Sequence, residues 1–421
     1  MLRIFYFLLP YWIISYYLWT TLPTRPVAIL WFGTLYLLSG LFVATKGKRI
    51  LYVLTRDPWI VLLIIWSGLS CFWSVNLSIT FASFRSLIVQ YVLVGYLVTT
   101  YSIQGIIGIF SRILSLAGIL SFLYLTFLPG QALVIGQHGG VSWGGIFPHQ
   151  SVLAATMALA VVSLLYSFLM EKSRIKSRLS RIFILIVACL CLYLLFFCNS
   201  KTSPVGLLVS FSILPFFFIE RIKGMKARNL SFVFLVYIFL VGIPLLYSAQ
   251  DFLITEVLNK DPSLSGRAYL WEYLTERFLE RPFGYGLEAF WRNQALSDAA
   301  TAATGYRFGN SHSSYYDILI GLGFPGVALL SICVAVVIRR TVILAFHHNR
   351  LEFQWALQIL ILILIASYSD SFIGFLKPRT IGWFIFCIIA LTSSLEIAKY
   401  QKPSVHRAQT YSEIKALLQA K

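Results

Sequence analysis

Apolar runs of about 17–25 residues, the length that crosses about 30 Å of hydrocarbon, recur along this chain with short polar breaks between them. They predict about twelve helices, near residues 4–20, 26–43, 58–74, 80–100, 107–128, 151–170, 182–198, 205–219, 230–248, 313–338, 354–373 and 381–397. A single long hydrophilic interval, 249–312, separates the ninth from the tenth. The expected fold is therefore an all-α polytopic membrane protein. It divides into helices 1 to 9 over 1–248, a large extracytoplasmic loop over 249–312, helices 10 to 12 over 313–397 and a basic tail over 398–421. Within the loop, Ser265 to Glu280 alternates apolar and charged positions at helical spacing, with Pro262 before it and Pro282 after it. That pattern predicts an amphipathic helix on or near the membrane.

Composition sharpens the class. Hydrophobic residues make up 58% and charged residues 12% of the 421 positions, whereas a soluble domain carries about 25% charged residues. A soluble enzyme and a disordered chain are both excluded. The net charge of +18 would suit nucleic acid only if the cations clustered on a solvated domain, and no such domain is present, so no nucleic-acid partner is expected. Instead most Lys and Arg fall in alternate short loops, near 46–56, 172–181, 221–228 and 339–350, and in the tail from Lys399. Short cytoplasmic loops are enriched in these residues, which puts both termini in the cytoplasm, where the cations also face anionic membrane lipids. The N-terminus starts with Arg3 and an aromatic run without a small-residue cleavage site, so it is read as a retained first span. The six cysteines lie in or at the ends of apolar runs and are assigned to packing.

This orientation leaves 129–150, 199–204, 249–312 and 374–380 on the outer side. The 249–312 loop holds half of the acids together with six basic residues, and it is the first place to look for chemistry. Arg85 lies inside the fourth run, about 13 Å from its outer end at 1.5 Å per residue, and a charge at such depth is a functional hypothesis by default. Lys201 sits in CNSKTSPVG between two helices; its plain alternative is a cation snorkelling at a helix end. No Asp-x-Asp occurs, and the outer acids alternate with Arg instead of clustering, so neither metal nor other cofactor is expected. Asp370 is read as a partner for Lys377 or Arg379, or as an acceptor for a sugar hydroxyl. Trp143, Tyr285, Trp291, Tyr306 and Tyr315 are read as interfacial aromatics or as platforms for sugar faces.

The order SGRAYLWEYLTERFLERPFGYGLEAFW followed by GNSHSSYYDILIGLGFPGVALL resembles the O-antigen ligase and polysaccharide polymerase superfamily. FWSVNLSITF with Arg85, GGIFPHQSVLA and NSKTS are similar to the family in the same order, so the resemblance covers about residues 70 to 330. The Ser-Lys-Thr-Ser form is most similar to the exopolysaccharide-production polymerases. Two departures stand out: Ser313 follows His312 where the family usually has Asn, and Gln150-Ser151 replaces a Lys/Pro-Asn pair.

The resemblance implies a GT-C-like membrane glycosyltransferase. Such enzymes move an oligosaccharide from a polyprenyl diphosphate to a sugar hydroxyl, on the extracytoplasmic face of the bacterial inner membrane. A diphosphate leaving group needs cations, and the planar Arg fork suits phosphate oxygens. Arg267 is the leading candidate, with Arg85 and Lys201 beside it; the plain alternative for Arg267 is an ion pair with Glu272 or Asp261. The attacking hydroxyl needs a proton acceptor, and His312, where the loop re-enters the membrane, has the suitable side chain. His149 and Tyr315 complete the expected substrate contacts. Beyond the lipid-linked oligosaccharide and membrane lipids, a chain-length regulator or export machinery is an expected partner. The alternatives are a ligase acting on lipid A core and, from another class, a transporter or flippase that uses Arg85 and Lys201 to move an anion.

Overall fold

The computed structural model describes residues 8–15, 25–135, 141–171, 178–200, 202–217, 267–306, 308–369, 374–377 and 380–401. The expected span at 230–248, the loop up to Gly266, Lys201, Arg307, Asp370 and the tail past Gln401 lie outside these residues. Helices α1 (Arg25–Leu54), α2 (Pro58–Leu69), α3 (Leu77–Thr100), α4 (Ile103–Phe127), α5 (Gln150–Glu171), α6 (Arg178–Phe197) and α7 (Thr202–Phe211) precede the long hydrophilic segment. In that segment lie α8 (Arg267–Glu280) and α9 (Gln294–Thr304), and α10 (Ser314–Val342), α11 (Leu351–Ser369) and α12 (Ile381–Gln401) follow. The chain is an all-α polytopic membrane protein. Among the described residues seven helices are long and apolar enough to cross a membrane.

Local chemistry sets the helix starts. Asp57, Asn76 and Ser102 each accept a backbone N–H from the first turn that follows, at 3.3, 3.3 and 3.2 Å, satisfying donors that a helix leaves open. Pro58 occupies the first helical position of α2, where its missing N–H costs nothing. Asp57 also pairs with Arg340, tying α2 to the far end of α10.

One expectation needs correction. The basic segment after residue 43 is not a loop: α1 continues to Leu54 with one non-helical residue, Lys46. Ile50 and Val53 are buried and Leu54 packs on the core, so burial on one side keeps a run of charged helix formers helical. The stretch from Gly33 to Leu54 then meets Pro58–Trp73 at 109°, as a bent pair. Within the expected span at 205–219, the described residues belong to an apolar helical stretch, Thr202–Phe217, that reaches the last described position there.

Helices α5, α11 and α12 are buried over most of their length and form the interior, while α6 is mostly peripheral. Trp355 on α11 donates to Ser163 on α5 at 3.1 Å inside this interior. In the hydrophilic segment, α8 forms as expected, but its apolar stripe meets protein. Leu270 and Leu274 are fully buried against Tyr285, Phe290, Phe308 and Ile320 in a second small core. The 129–150 segment is also ordered locally, as a two-stranded antiparallel hairpin pairing Leu133 with Trp143 and Ile135 with Val141.

The element that joins the membrane core to the outer core is a break in α10. Gly323 is non-helical, with φ 69°, and Pro325 follows inside the helix. Pro325 has no N–H to give to the Gly321 carbonyl four residues back. That carbonyl accepts instead from Gly286 N at 2.9 Å, and the Ile320 carbonyl from Tyr285 N at 2.8 Å. Phe324 N, freed from the helix, donates to Pro282 O at 2.8 Å. Trp66 Nε1 on α2 caps the Leu322 carbonyl at 3.0 Å. The turn Arg281 to Leu287 is thereby inserted between α10 and the outer ends of α2 and α3, where Val75 N donates to Tyr285 O at 3.0 Å and Thr80 Oγ1 to Leu287 O at 3.2 Å.

A Cβ at Gly323 would lie 2.1 Å from the Pro282 carbonyl, in a backbone conformation that L side chains avoid. Gly323→Ala should therefore lower stability by about 1–3 kcal/mol or more, read as thermal unfolding in detergent. Gly40→Ala, whose Cβ would meet nothing within 4 Å, should leave it unchanged. Equal losses in the two variants would contradict the docking role of the break.

Candidate active site

His312 lies in the loop that leads into α10, and its backbone is left-handed, with φ 52°. Non-glycine residues adopt this conformation rarely and at a cost, usually where the surroundings impose it. The surroundings here are specific. His312 N donates to Asn310 Oδ1 at 2.8 Å. Ser311, one residue earlier, is held by Trp271 Nε1 of α8 on its carbonyl at 2.9 Å. Its own N–H and Oγ both reach Asp317 Oδ1, at 3.1 and 2.7 Å. Phe308 packs edge-on against the imidazole.

Asp317 is the hub of this arrangement. Besides Ser311 it accepts from Trp291 Nε1 at 3.2 Å and from Lys377 Nζ at 3.3 Å. It therefore gathers the loop before α10, the segment before α9 and the turn before α12 on one carboxylate. An acid inside the apolar run SSYYDILIGLG is the signal in the sequence that points to it. Lys377, expected with Arg379 as an alternative partner for Asp370, pairs with Asp317.

The expected site residues divide as follows. His312, Arg267 and His149 are brought together: the charges acting on His312 are those of Arg267, Asp317, His149 and Lys377. Arg267 is the first described residue of α8, His149 directly precedes α5, and His312 precedes the Ser313 cap of α10. The N-terminal ends of α5 and α10, each equivalent to a partial positive charge, thus lie with Arg267 and Lys377. His149 accepts Ser151 N on Nδ1 at 3.2 Å, which leaves the ring proton on Nε2. Tyr315 directs its hydroxyl to the Leu364 carbonyl of α11 at 3.0 Å and packs against Phe375.

Arg85 stands apart. It is exposed on α3, where its Nε donates to Tyr36 Oη at 3.2 Å and its guanidinium lies over that ring; it is not among the charges acting on His312. Lys201 lies outside the described residues. Of the aromatic candidates, Tyr285 and Trp291 are committed to the framework through Arg277 O and Asp317, and Trp143 packs with Phe197 and Tyr193.

Burial is the largest influence on His312 and pushes its pKa down, to about 4; the Arg267 cation adds to this, and Asp317 opposes it. The imidazole is therefore neutral, with a free acceptor, throughout the neutral range.

Residues 186–331 match the family model described as O-antigen ligase. The chain carries an O-antigen ligase family domain. The match bears out the resemblance to the O-antigen ligase and polysaccharide polymerase superfamily and spans Arg267, His312, Asp317 and the broken part of α10. The O-antigen ligase match ends before Lys377 and begins after His149, so the converging site also draws on residues beyond it. No curated protein matches the chain.

Removing the hub should strand a half-buried ammonium. Asp317→Ala is expected to cost about 3–5 kcal/mol, seen as a fall in melting temperature, and adding Lys377→Met should recover part of the loss. No recovery in the double variant would mean that the Lys377 pair contributes nothing to holding the site.

Proposed function

We propose that the protein is a glycosyltransferase that polymerises polyprenyl-diphosphate-linked oligosaccharide repeat units into an exported polysaccharide. It works on the extracytoplasmic face of the bacterial inner membrane, with both termini in the cytoplasm. The observation that carries this reading is the gathering of Arg267, Asp317, His149 and Lys377 about a neutral His312, beside a family match described as O-antigen ligase.

The reaction asks for two things. The acceptor hydroxyl oxygen attacks the anomeric carbon, its proton passes to His312, and the bond from that carbon to the diphosphate breaks with its electron pair leaving on the phosphate oxygen. The products are the extended glycan and a free polyprenyl diphosphate. Arg267 stabilises the charge that grows on the leaving group, and cations supply that field because, among the described residues, the carboxylate acting on His312, Asp317, is taken up by Lys377, Ser311 and Trp291. His312 in the resting site is a weak base. A bound diphosphate offsets Arg267 and adds negative potential, which raises the His312 pKa toward its ordinary value when the base is needed.

A ligase using lipid A core as acceptor is the second reading, favoured by the description of the matched model. The chemistry at His312 and Arg267 is the same for both, and only the acceptor differs. Deletion separates them: accumulation of single lipid-linked repeats identifies a polymerase, whereas free lipid A core beside full-length carrier-bound polymer identifies a ligase.

In a deletion strain complemented with Arg267→Ala or His312→Ala, polymer yield should fall by about 10²-fold or more; wild-type yield and length from either would remove that residue from the mechanism. Because the His312 pKa is lowered, its neutral form persists as pH falls to about 4, so kcat/KM should hold through pH 5–6 and drop only near 4. The limb in kcat should lie higher, since the bound anion raises the pKa. Arg267→Gln removes a cation that lowers it and should move the kcat/KM limb upward; a fixed limb would show that Arg267 does not act on the base.

A further inference from the structure

At the ends of α10, α11 and α12 opposite to His312 lies a cavity of about 930 Å³. A second, of about 580 Å³, adjoins it through shared walls at Tyr101, Ser102, Gln104, Arg350 and Glu352. The candidate active site uses neither. The charges in the walls fall into two groups. Arg350 is held by Glu352, Glu396 and Tyr400, and Lys399 by Glu396 at 2.7 Å. Arg112 and Arg56 are different. Arg112 reaches Tyr11 Oη at 2.5 Å and Arg56 reaches the Tyr52 hydroxyl, and among the described residues neither has a carboxylate partner.

Arg56 lies beside the start of α2, where a basic residue serves orientation. Arg112 lies about nine residues into α4, about 13 Å along the helix at 1.5 Å per residue. A cation inside an apolar helix faces an aqueous cavity or a counter-ion, and Arg112 lines the larger cavity. Gly108 and Gly105, one and two turns before it on the same face, leave that stretch of the wall without side chains; a Cβ at Gly108 would meet nothing within 4 Å. Leu169, Met170 and Leu351 supply apolar walls, and Ser102, Gln104 and Asn349 polar ones.

We propose that this cavity binds the phosphate of an anionic amphiphile, with Arg112 as the principal cation and the Gly105–Gly108 stripe as the bed for the attached chain. Arg is suited because its fork gives two parallel bonds to phosphate oxygens. Its Tyr11 contact fixes the guanidinium without neutralising it. Arg56, in the adjoining cavity and without a carboxylate partner among the described residues, supplies a second charge, so a diphosphate or two-phosphate headgroup is accommodated as well as a single one. The site is independent of glycan transfer, since it lies at the other end of the helices from His312.

The test uses the full-length protein purified in neutral detergent and stripped of lipid, followed by native mass spectrometry and thermal unfolding. Phosphatidylglycerol should be retained and should raise the melting temperature, while phosphatidylethanolamine should do neither. Arg112→Gln should weaken phosphatidylglycerol binding at least ten-fold, and Gly108→Leu, which fills the bed at an open position, should do the same with the unliganded melting temperature intact. If millimolar inorganic phosphate or pyrophosphate stabilises the protein in place of lipid, and only when Arg112 is present, the same anion chemistry holds for a soluble phosphate; no effect of either assigns the site to the lipid headgroup. Equal retention of the two phospholipids, or wild-type affinity in both variants, would overturn the proposal.

Discussion

Helix α10 surrenders its own hydrogen bonds at Ile320 and Gly321, and the structure around the site depends on what replaces them. In a hydrocarbon environment an unpaired carbonyl costs several kcal/mol, so a helix break can persist there only if another segment supplies the donors. The backbone of Tyr285 and Gly286 does so, and Phe324 N returns a bond to Pro282. The exchange is mutual. The outer segment obtains a fixed seat on a membrane helix, and the helix obtains a break without orphaned groups. From that seat Tyr285 and Phe290 form the small core on which Leu270 and Leu274 of α8 rest, and α8 in turn carries Arg267 and Trp271. The position of Arg267 relative to His312 is thus set by backbone bonds made about one helical turn or more away from either residue.

The second constraint is electrostatic. Among the described residues, Arg267, Asp317, His149 and Lys377 all act on His312. The Asp317 carboxylate accepts from Lys377, Ser311 and Trp291, which fixes the loop geometry. The outcome is a site with positive potential and a neutral imidazole. Both properties favour an anionic donor that is neutralised on arrival and a neutral hydroxyl that must lose a proton. The left-handed backbone at His312 is held by Asn310 and Ser311, in keeping with strain retained where position matters.

Much of this was legible because it rests on local rules. Apolar run lengths located most of the helices, and Pro282 marked the end of α8. The pairing of Arg267 and His312 followed from the chemistry that a diphosphate leaving group requires, under the family resemblance. What was not legible depends on contacts between distant segments. Nothing local to residues 44–54 indicates that Ile50, Val53 and Leu54 will be buried on α3 and keep α1 helical. Asp317 reads as one acid among apolar neighbours until Trp291 and Lys377, 26 and 60 residues away, are placed beside it. Arg85 drew attention through its depth, but depth carries no information on azimuth, and α3 turns it toward Tyr36.

The most direct measurement is reconstitution. Purified protein in a chelator-containing buffer is given a polyprenyl-diphosphate-linked repeat unit, with and without lipid A core, and the products are read by mass spectrometry. Glycans at integer multiples of the repeat, released together with free polyprenyl diphosphate and formed without lipid A core, are the predicted result. A lipid-linked donor that stays intact under both conditions would contradict glycosyl transfer at this site.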